Sequence, residues 1–289
     1  MIIVEVTGGL GNQMFQYALC RKLQSLGKEV KLDLSFYRTK QILRRFELYD
    51  VFRVPFETAS KREIYHLKGY TSNASRLERV VTTRLHRETH VYSEDLDAGF
   101  QSAVLEMDDV YLSGYWQNEL YFKDIRKKIL EDFRFPEMLT KQYPELLQEM
   151  WSENSVSIHI RRGDYLDPVN SRLYSGICTI DYYQRSIQYM QENLQNPKFY
   201  FFTDDPQWVK QNLYKDGMTI VEHQKEDPDY VDMFLMGQCK AHIIANSTFS
   251  WWGAWLDSKE GRIVISPTKW LNNHEVQNAI CDWFIKVES

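Results

Sequence analysis

The chain has 289 residues, 43% of them hydrophobic, which is ample for a packed core and at the usual domain size favours two domains. Its formal net charge of −5 and its pI of about 5.9 argue against a general nucleic-acid binder. A local basic site for a phosphorylated small molecule is compatible with both values.

The four cysteines are scattered and form no Cys-x-x-Cys pair, which indicates neither a zinc site nor a disulfide scaffold and fits a reducing compartment. The N-terminus has no basic flank followed by an apolar run, so a signal peptide is not expected. No stretch approaches the roughly 20 apolar residues that span a bilayer. These features favour a cytoplasmic protein, with loose attachment to the inner membrane face left open.

The N-terminal stretch reads as the start of an α/β unit. Residues 2–6 predict a buried strand, a glycine-rich turn follows over Thr7–Gln13, and apolar residues at helical spacing predict a helix over Met14–Leu26. Asn12 is a reasonable N-cap and Gly27 a reasonable C′ residue. The turn completes neither the dinucleotide nor the Walker fingerprint. Its N–H groups suit an anion, and a plain tight turn is an equal alternative.

The rest of the first half, and residues 35–110 above all, has weaker secondary-structure patterns. The patterns there predict strands over 29–34 and 110–113, helices over 57–67 and 119–133, and a charged helical segment near 76–84. The segment from Pro136 to about Asn154 contains two prolines and mixed charge. It is therefore the expected domain junction, with domains over 1–145 and 146–289.

From Ser155 onward strands and helices alternate regularly. The strands are predicted at 155–160, 198–203, 218–221, 241–245 and 262–266, and the helices at 179–194, from 206, at 230–239, at 248–256 and at 275–285. This alternation predicts a mostly parallel sheet covered on both faces.

Unusual polar side chains come directly after three of these strands. They are His159, Arg161, Arg162 and Asp164; Thr203, Asp204 and Asp205; and Asn246, Ser247 and Thr248. Because the carboxyl ends of parallel strands share one edge, the groups are expected to form a single site for a nucleoside diphosphate. Guanidinium groups bind phosphate oxygens in bidentate fashion, and a helix N-terminus provides a second anion-binding site. Each turn alone is also compatible with ordinary caps or a surface Arg–Asp ion pair.

Other features keep simpler interpretations. Asp95-Leu96-Asp97 and Asp227-Pro228-Asp229 have the Asp-x-Asp form of a metal site, but neither clearly follows a strand, so solvated turns are predicted. The aromatic run at Phe249–Trp252 has helical spacing and predicts core packing, with Phe249 also suited to flank a purine.

Five motifs in order resemble the bacterial α-1,2-fucosyltransferases. They are Gly8-Gly9-Leu10-Gly11-Asn12-Gln13-Met14-Phe15-Gln16-Tyr17-Ala18, Gly114-Tyr115-Trp116-Gln117, His159-Ile160-Arg161-Arg162-Gly163-Asp164-Tyr165, Phe202-Thr203-Asp204-Asp205 and Asn246-Ser247-Thr248-Phe249-Ser250-Trp251-Trp252-Gly253-Ala254. The resemblance implies a GT-B-type α/β fold of two Rossmann-like domains facing each other across a cleft, the first on the acceptor side and the second binding GDP-fucose. It also implies inverting transfer of L-fucose from GDP-β-L-fucose to the 2-hydroxyl of a terminal β-galactoside, without a metal or other cofactor.

The resemblance further implies roles for individual residues. Arg161 would bind the β-phosphate, Asp204 the guanosine, and Asn246, Ser247, Thr248 and Phe249 the phosphates and base edge, while Gly11 and Asn12 would approach the fucose or β-phosphate from the first domain. Asp164 is the first candidate for a general base and His159 the second. The alternatives are a nucleotide-sugar-binding protein, a fucosyltransferase of another linkage, and a nicotinamide-dependent oxidoreductase.

Overall fold

A computed structural model of the chain describes residues 1–38, 44–69, 90–163, 165, 167–168, 170–222 and 227–289. The chain divides into two compact units, Met1–Arg134 and Phe135–Ser289. The sequence predicted a boundary after residue 145, whereas the structure divides the chain after Arg134. The reason is that the expected junction, Pro136 to about Asn154, is mostly helical and packs on the second unit. Within that segment, for example, Glu149 accepts from the Tyr200 hydroxyl at 2.8 Å.

The first unit contains a four-stranded parallel sheet in the order β2-β1-β4-β3. Its strands are β1 Ile2–Glu5, β2 Val30–Asp33, β3 Val91–Ser93 and β4 Val110–Ser113. The helices described in this unit are α1 Leu10–Ser25, α2 Leu48–Phe52, α3 Lys61–Lys68 and α4 Arg126–Asp132. The short apolar strands at the centre are buried, which explains why β1 and β4 are readily predicted from the sequence.

Helix α1 begins earlier than predicted. Its N-cap is Gly9, and the backbone N–H groups of Asn12 and Gln13 both donate to the Gly9 carbonyl, at 3.0 and 3.1 Å. Asn12 therefore lies in the first turn of the helix, and its predicted role as the N-cap is wrong. Gly27 follows the helix with a φ of +82°, which confirms its predicted place after the C-terminus.

Two further helices of the first unit differ from the predictions. Helix α3 starts at Lys61 because residues 57–59 hydrogen-bond alongside Leu32 of β2, after which Ser60 and Glu63 form a capping box. The predicted helix over 119–133 is instead two 3₁₀ turns followed by α4. Strand β3 was not predicted, and the predicted segment near 76–84 lies outside the described residues.

The second unit contains a six-stranded parallel sheet in the order β10-β9-β8-β5-β6-β7. Its strands are β5 Asn154–Ile160, β6 Pro197–Thr203, β7 Thr219–Ile220, β8 Ala241–Ile243, β9 Ile263–Pro267 and β10 Ile285–Val287. Read from β7, this is the strand order of a doubly wound nucleotide-binding sheet. The predicted parallel α/β architecture is confirmed for this unit.

Four helices of this unit lie where the periodicity predicts them: α8 Ile180–Asn193, α9 Pro206–Asn212, α10 Tyr230–Gln238 and α11 Thr248–Leu256. Three shorter helices were not predicted: α5 Met138–Gln142 and α6 Pro144–Ser152, which precede β5, and α7 Ser171–Tyr174, which follows it. The predicted core role of the aromatic run is confirmed, since Trp251, Trp252 and Trp255 are buried and their rings contact one another. No helix in the described part of the chain is both long and apolar enough to cross a membrane.

The predicted C-terminal helix over 275–285 is wrong. The Gln277 side chain accepts from the backbone N–H groups of Trp270 and Leu271, and the Trp251 indole donates to the Ala279 carbonyl at 2.7 Å. Because Gln277 bonds the preceding loop and Trp251 bonds the Ala279 carbonyl, the segment runs without a helix into β10, which pairs in parallel with β9.

A buried polar chain joins the centre of this sheet to the end of α11. Ser157 on β5 lies 2.8 Å from Nδ1 of His242 on β8, whose Nε2 lies 3.2 Å from Asp257. Lys259 completes the chain at 2.9 Å from the second carboxylate oxygen of Asp257. Burial lowers the pKa of His242, so the ring is neutral and each of its nitrogens has one partner.

Candidate functional site

The candidate site lies where β8, β5 and β6 end, because these three strands are neighbours in the sheet of the second unit. Strand order reverses between β5 and β8, and ligands of open α/β sheets bind at such a switch point, beyond the carboxyl ends of the strands. The structure thus brings the three predicted polar turns of this unit to one edge. Asp164 lies outside the described residues.

Asp204 organises the turn that follows β5. Its carboxylate accepts from the backbone N–H groups of Arg162 and Gly163, at 2.9 and 3.1 Å, and lies 3.2 Å from the Arg161 guanidinium. A Cβ atom on Gly163 would lie 2.9 Å from the same carboxylate, so glycine permits this close approach. Asp204 therefore shapes the arginine turn, a contact that the sequence did not predict.

The two consecutive arginines have different surroundings. The Nε of Arg162 lies 3.1 Å from Asp205, and its guanidinium stacks 4.4 Å from the centre of the Trp208 ring. Asp205 in turn caps α9 by accepting from the Trp208 N–H at 3.0 Å. Arg162 thus fastens the turn to α9. The Arg161 side chain keeps 33% of its surface exposed, which leaves it accessible to an anion.

His159, the last residue but one of β5, is buried beside the same turn. Its ring lies 5.8 Å from that of Phe249, and its Nδ1 has no hydrogen-bond partner among the described residues. Burial, with the neighbouring charge of Arg161, lowers the pKa of His159 to about 3. The ring is therefore neutral at pH 7 and a weak proton acceptor.

After β8 the chain enters α11 through Asn246 and Ser247. The buried Asn246 amide donates to the carbonyls of Tyr174 and Trp270, both at 3.2 Å, and so anchors two loops of the second unit. Ser247 is the N-cap of α11 and accepts from the Phe249 N–H at 3.3 Å. The free N–H groups of this helix start, including that of Thr248, suit an anion at the switch point.

In the first unit, the glycine turn is held by buried glutamines that the sequence reading did not single out. Gln16 accepts from the Thr7 N–H at 3.0 Å and donates to the Gly114 carbonyl at 2.9 Å. Gln13 donates to the Gly8 carbonyl at 3.2 Å. Both are fully buried in α1. Their signal in the sequence was amide side chains at helix positions that otherwise bury apolar residues.

The other predicted site residues of the first unit belong to the same turn. Gly11 is buried within α1, and the side-chain oxygen of Asn12 accepts from the Gln117 amide at 2.9 Å. Gly8 has a φ of +81°, and a Cβ atom there would lie 2.5 Å from the Asn12 amide nitrogen. The glycine turn and the Gly114–Gln117 turn are thus joined at the carboxyl ends of β1 and β4.

The Asp-x-Asp segments behave as turns in the structure. Asp95 accepts from the Asp97 N–H at 3.0 Å, and Asp227 accepts from the side chains of Gln142 and Tyr143. Across the described ranges, no group of three or more His, Cys, Asp or Glu side chains is arranged to hold a metal ion.

A sequence profile described as glycosyl transferase family 11 matches residues 92–284, which is more than half of the chain. The chain belongs to glycosyl transferase family 11. This family 11 chain is 34% identical to the α-1,2-colitosyltransferase of Escherichia coli, over 96% of its own length and 95% of that protein. It is 31% identical to the O-antigen biosynthesis glycosyltransferase WbnK of Escherichia coli, over 98% and 99% of the two chains.

The fold of this family 11 member is similar to that of the NodZ α-1,6-fucosyltransferase, in a structure soaked with GDP-fucose. The TM-score is 0.51 at 13% identity, over 88% of this chain and 92% of the other. The resemblance to the α-1,2-fucosyltransferase family, inferred from five motifs, is confirmed, and the chain is a glycosyltransferase.

Proposed function

We propose that this protein transfers L-fucose from GDP-β-L-fucose to the 2-hydroxyl of a terminal β-galactoside, with inversion. The observation that supports this most is the arginine turn after β5, held by Asp204 beside the start of α11 at the switch point of the sheet. Family membership and the α-1,2 relatives support the linkage. In this proposal the two units face each other across a cleft in the GT-B manner, with the donor on the second unit.

Donor binding follows from the charges at the switch point. The Arg161 guanidinium binds the β-phosphate, and the N–H groups at the start of α11 receive the remaining phosphate oxygens beside Ser247 and Thr248. Phe249, which lies beside His159, flanks the guanine ring. The Asp204 carboxylate accepts hydrogen bonds from N–H groups at the edge of the guanine. Asn246 keeps the loops of this site in place through its buried amide. Gly11 and Asn12 of the first unit approach the fucose.

The reaction is a single displacement at the anomeric carbon. The acceptor 2-oxygen forms a bond to C1 of fucose as the bond between C1 and the β-phosphate oxygen breaks, and the electron pair leaves with GDP. Arg161 stabilises the negative charge that develops on the phosphate. The hydroxyl proton passes to Asp164. His159, with a pKa near 3, is disfavoured as the base and is assigned a neutral contact with the donor.

The decisive experiment incubates the purified enzyme with GDP-fucose and lactose, N-acetyllactosamine or galactosyl-N-acetylhexosamine, and measures GDP release. We expect a product whose new glycosidic linkage is α-1,2 by NMR. A product of another linkage contradicts the regiochemistry, and GDP-fucose binding without GDP release indicates a binding module. The predicted cytoplasmic location stays a prediction.

Transfer of colitose is the second candidate, because the chain is 34% identical to a colitosyltransferase along nearly its whole length. Colitose lacks the 3-hydroxyl group of fucose, so the two donors differ by one polar group. Comparing kcat/KM for the two GDP-linked sugars on one acceptor distinguishes them. We expect GDP-fucose to be preferred, and a preference for the deoxy sugar would reassign the donor.

A further inference from the structure

The turn after β4, Gly114–Gln117, adopts a strained conformation. Trp116 has a φ of +57°, a left-handed backbone that a bulky residue rarely adopts, and its side chain is fully buried. A Cβ atom on Gly114 would lie 2.5 Å from the Cβ of Glu94. Such conformations persist only where the surrounding structure enforces them, and they cluster at ligand sites.

Three hydrogen bonds enforce this turn. One carboxylate oxygen of Glu94 accepts from the backbone N–H groups of Tyr115 and Trp116, at 2.7 and 2.9 Å. The buried Gln16 amide donates to the Gly114 carbonyl at 2.9 Å. Burial raises the pKa of Glu94, yet its two N–H donors favour the carboxylate form. Polar side chains from two other segments of the first unit therefore fix the turn.

The side chain that the turn presents to solvent is Tyr115. Its exposure is 40%, whereas Trp116 beside it is fully buried. The next residue, Gln117, donates to Asn12 at 2.9 Å. The tyrosine therefore projects from a rigid backbone next to paired amide side chains of the glycine turn.

Two more side chains gather at the same place. The Tyr37 hydroxyl donates to the Gly8 carbonyl at 2.9 Å, and Arg44 lies against Gly9, where a Cβ atom would be 2.6 Å from its guanidinium. Burial raises the pKa of Tyr37, so its hydroxyl group stays protonated and serves as the donor. Four segments of the first unit thus converge at the carboxyl end of β1, where parallel α/β units bind ligands.

An exposed aromatic side chain on a fixed turn, at a place where amide and guanidinium groups also gather, matches the surface of galactose. One face of that sugar carries only C–H groups and packs on an aromatic ring, while its hydroxyl groups take hydrogen bonds at the rim. We propose that Tyr115 is the ring on which the terminal galactose of the acceptor stacks. The inference rests on the proposed function, because that function supplies a β-galactoside acceptor.

An ordinary surface tyrosine is the competing interpretation, and the chain offers a matched control. Tyr65 lies on α3 of the same unit and is 47% exposed, on a regular helix without a strained backbone. Tyr65→Ala therefore removes a ring of similar exposure. Tyr115→Phe keeps the ring and removes only the hydroxyl group.

The test compares the wild type with Tyr115→Ala, Tyr115→Phe and Tyr65→Ala in three measurements: the KM for lactose, GDP release from GDP-fucose in water without acceptor, and saturation-transfer NMR of lactose. We expect Tyr115→Ala to raise the acceptor KM by about tenfold, the loss of one good aromatic contact. Its acceptor-free GDP release stays unchanged, and the enhancement of the galactose ring protons is lost. Tyr115→Phe and Tyr65→Ala behave as the wild type.

If Tyr115→Ala leaves both the acceptor KM and the saturation-transfer signal of the galactose protons unchanged, the inference is overturned while the proposed function stands. An equal fall in acceptor-free GDP release and transfer, at an unchanged melting temperature, also overturns it. If the wild type transfers fucose to no galactoside, the proposed function fails, and the NMR measurement decides alone. Galactose contacts that depend on the Tyr115 ring then support the inference, and their absence from the wild type overturns it.

Discussion

Arg161 and Arg162 are consecutive and carry the same charge, but their side chains contact different residues. Arg162 is engaged by Asp205 and Trp208, whereas Arg161 pairs with Asp204 and remains one-third exposed. In our proposal Arg161 therefore binds phosphate, while Arg162 stabilises the turn.

We expect Arg161→Ala to lower kcat by about 10²–10³-fold, because one preorganised donor to developing charge typically contributes that much. Arg161→Lys keeps the charge without the planar fork and should recover only part of the rate. Arg162→Ala is the matched control: it should lower the melting temperature more than the rate. A purified, folded Arg161→Ala enzyme whose kcat is close to that of the wild type would contradict the proposed role of Arg161 at the β-phosphate.

His159 and His242, both buried, make stability depend on pH. The folded pKa of His159 is about 3 and that of His242 is also lowered, whereas both are near 6.5 when unfolded. Below pH 6.5 the unfolded chain therefore binds protons that the folded chain refuses, so stability falls as the pH falls. For His159 the loss is about 2 kcal/mol by pH 5.

We predict that urea midpoints of the wild type fall from pH 7 to pH 5, above the range where most carboxylates titrate. His242→Asn should be less stable at pH 7, because its contacts with Ser157 and Asp257 change. Its dependence on pH over the same range should be shallower. Parallel curves for the two proteins would exclude His242 as a source of the effect.

At the scale of the element, the start of α11 has two separable tasks. Ser247 caps the helix through its hydroxyl group, and in the proposed function the same helix start receives phosphate. Ser247→Ala removes the cap and should cost about 1 kcal/mol of stability.

We predict that Ser247→Asp, which keeps a good cap, retains stability but raises the KM for GDP-fucose more than Ser247→Ala does. The reason is that a carboxylate there repels the diphosphate. Ser60→Asp, at the capped start of α3, is the control for a new charge at a helix start. An equal or smaller KM for Ser247→Asp than for Ser247→Ala would argue against phosphate at this helix.

Elements with a strong period were predictable, and those controlled by distant side chains were not. Helix α11 matches its predicted range of 248–256, because its aromatic face is buried throughout. The C-terminal segment has helical spacing in the sequence, yet the Gln277 side chain and the Trp251 indole hold it in a non-helical path. The bond from Trp251 to Ala279 spans 28 residues, and the Gln277 side chain bonds the backbone of a preceding loop, so helical spacing reveals neither contact.

At the scale of the whole molecule, the charge that assists departure of GDP is supplied by the protein in our proposal. Arg161 and the α11 N-terminus take the place that a divalent cation has in other glycosyltransferases. We predict that excess EDTA leaves kcat within about twofold, because in our proposal Arg161 and the α11 N-terminus, rather than a cation, stabilise the charge of the departing phosphate. Loss of activity in EDTA, with recovery on adding Mn²⁺ or Mg²⁺, would contradict this prediction.

The sequence predicted which residues meet at the edge of the second sheet, because parallel topology alone brings strand ends together. It did not predict how they divide their tasks. That Asp204 holds the backbone of Arg162 and Gly163 depends on the turn geometry. The sequence also did not predict that Tyr115 could stack on galactose. Only the three-dimensional fold shows that the neighbouring Trp116 is buried and has a strained backbone.

The buried chain of Ser157, His242 and Asp257 has the residue order and spacing of a serine hydrolase triad, at 2.8 and 3.2 Å, although the two ring nitrogens are exchanged, with Ser157 at Nδ1 and Asp257 at Nε2. Yet none of the three side chains exposes more than a trace of surface, and the arrangement lies in the middle of two central strands. Searches for esterases or peptidases that compare residue types and distances, without distinguishing the two ring nitrogens, would therefore flag this enzyme wrongly. A serine acts as a nucleophile only where an ester or amide substrate can reach it, and the burial of Ser157 prevents such access.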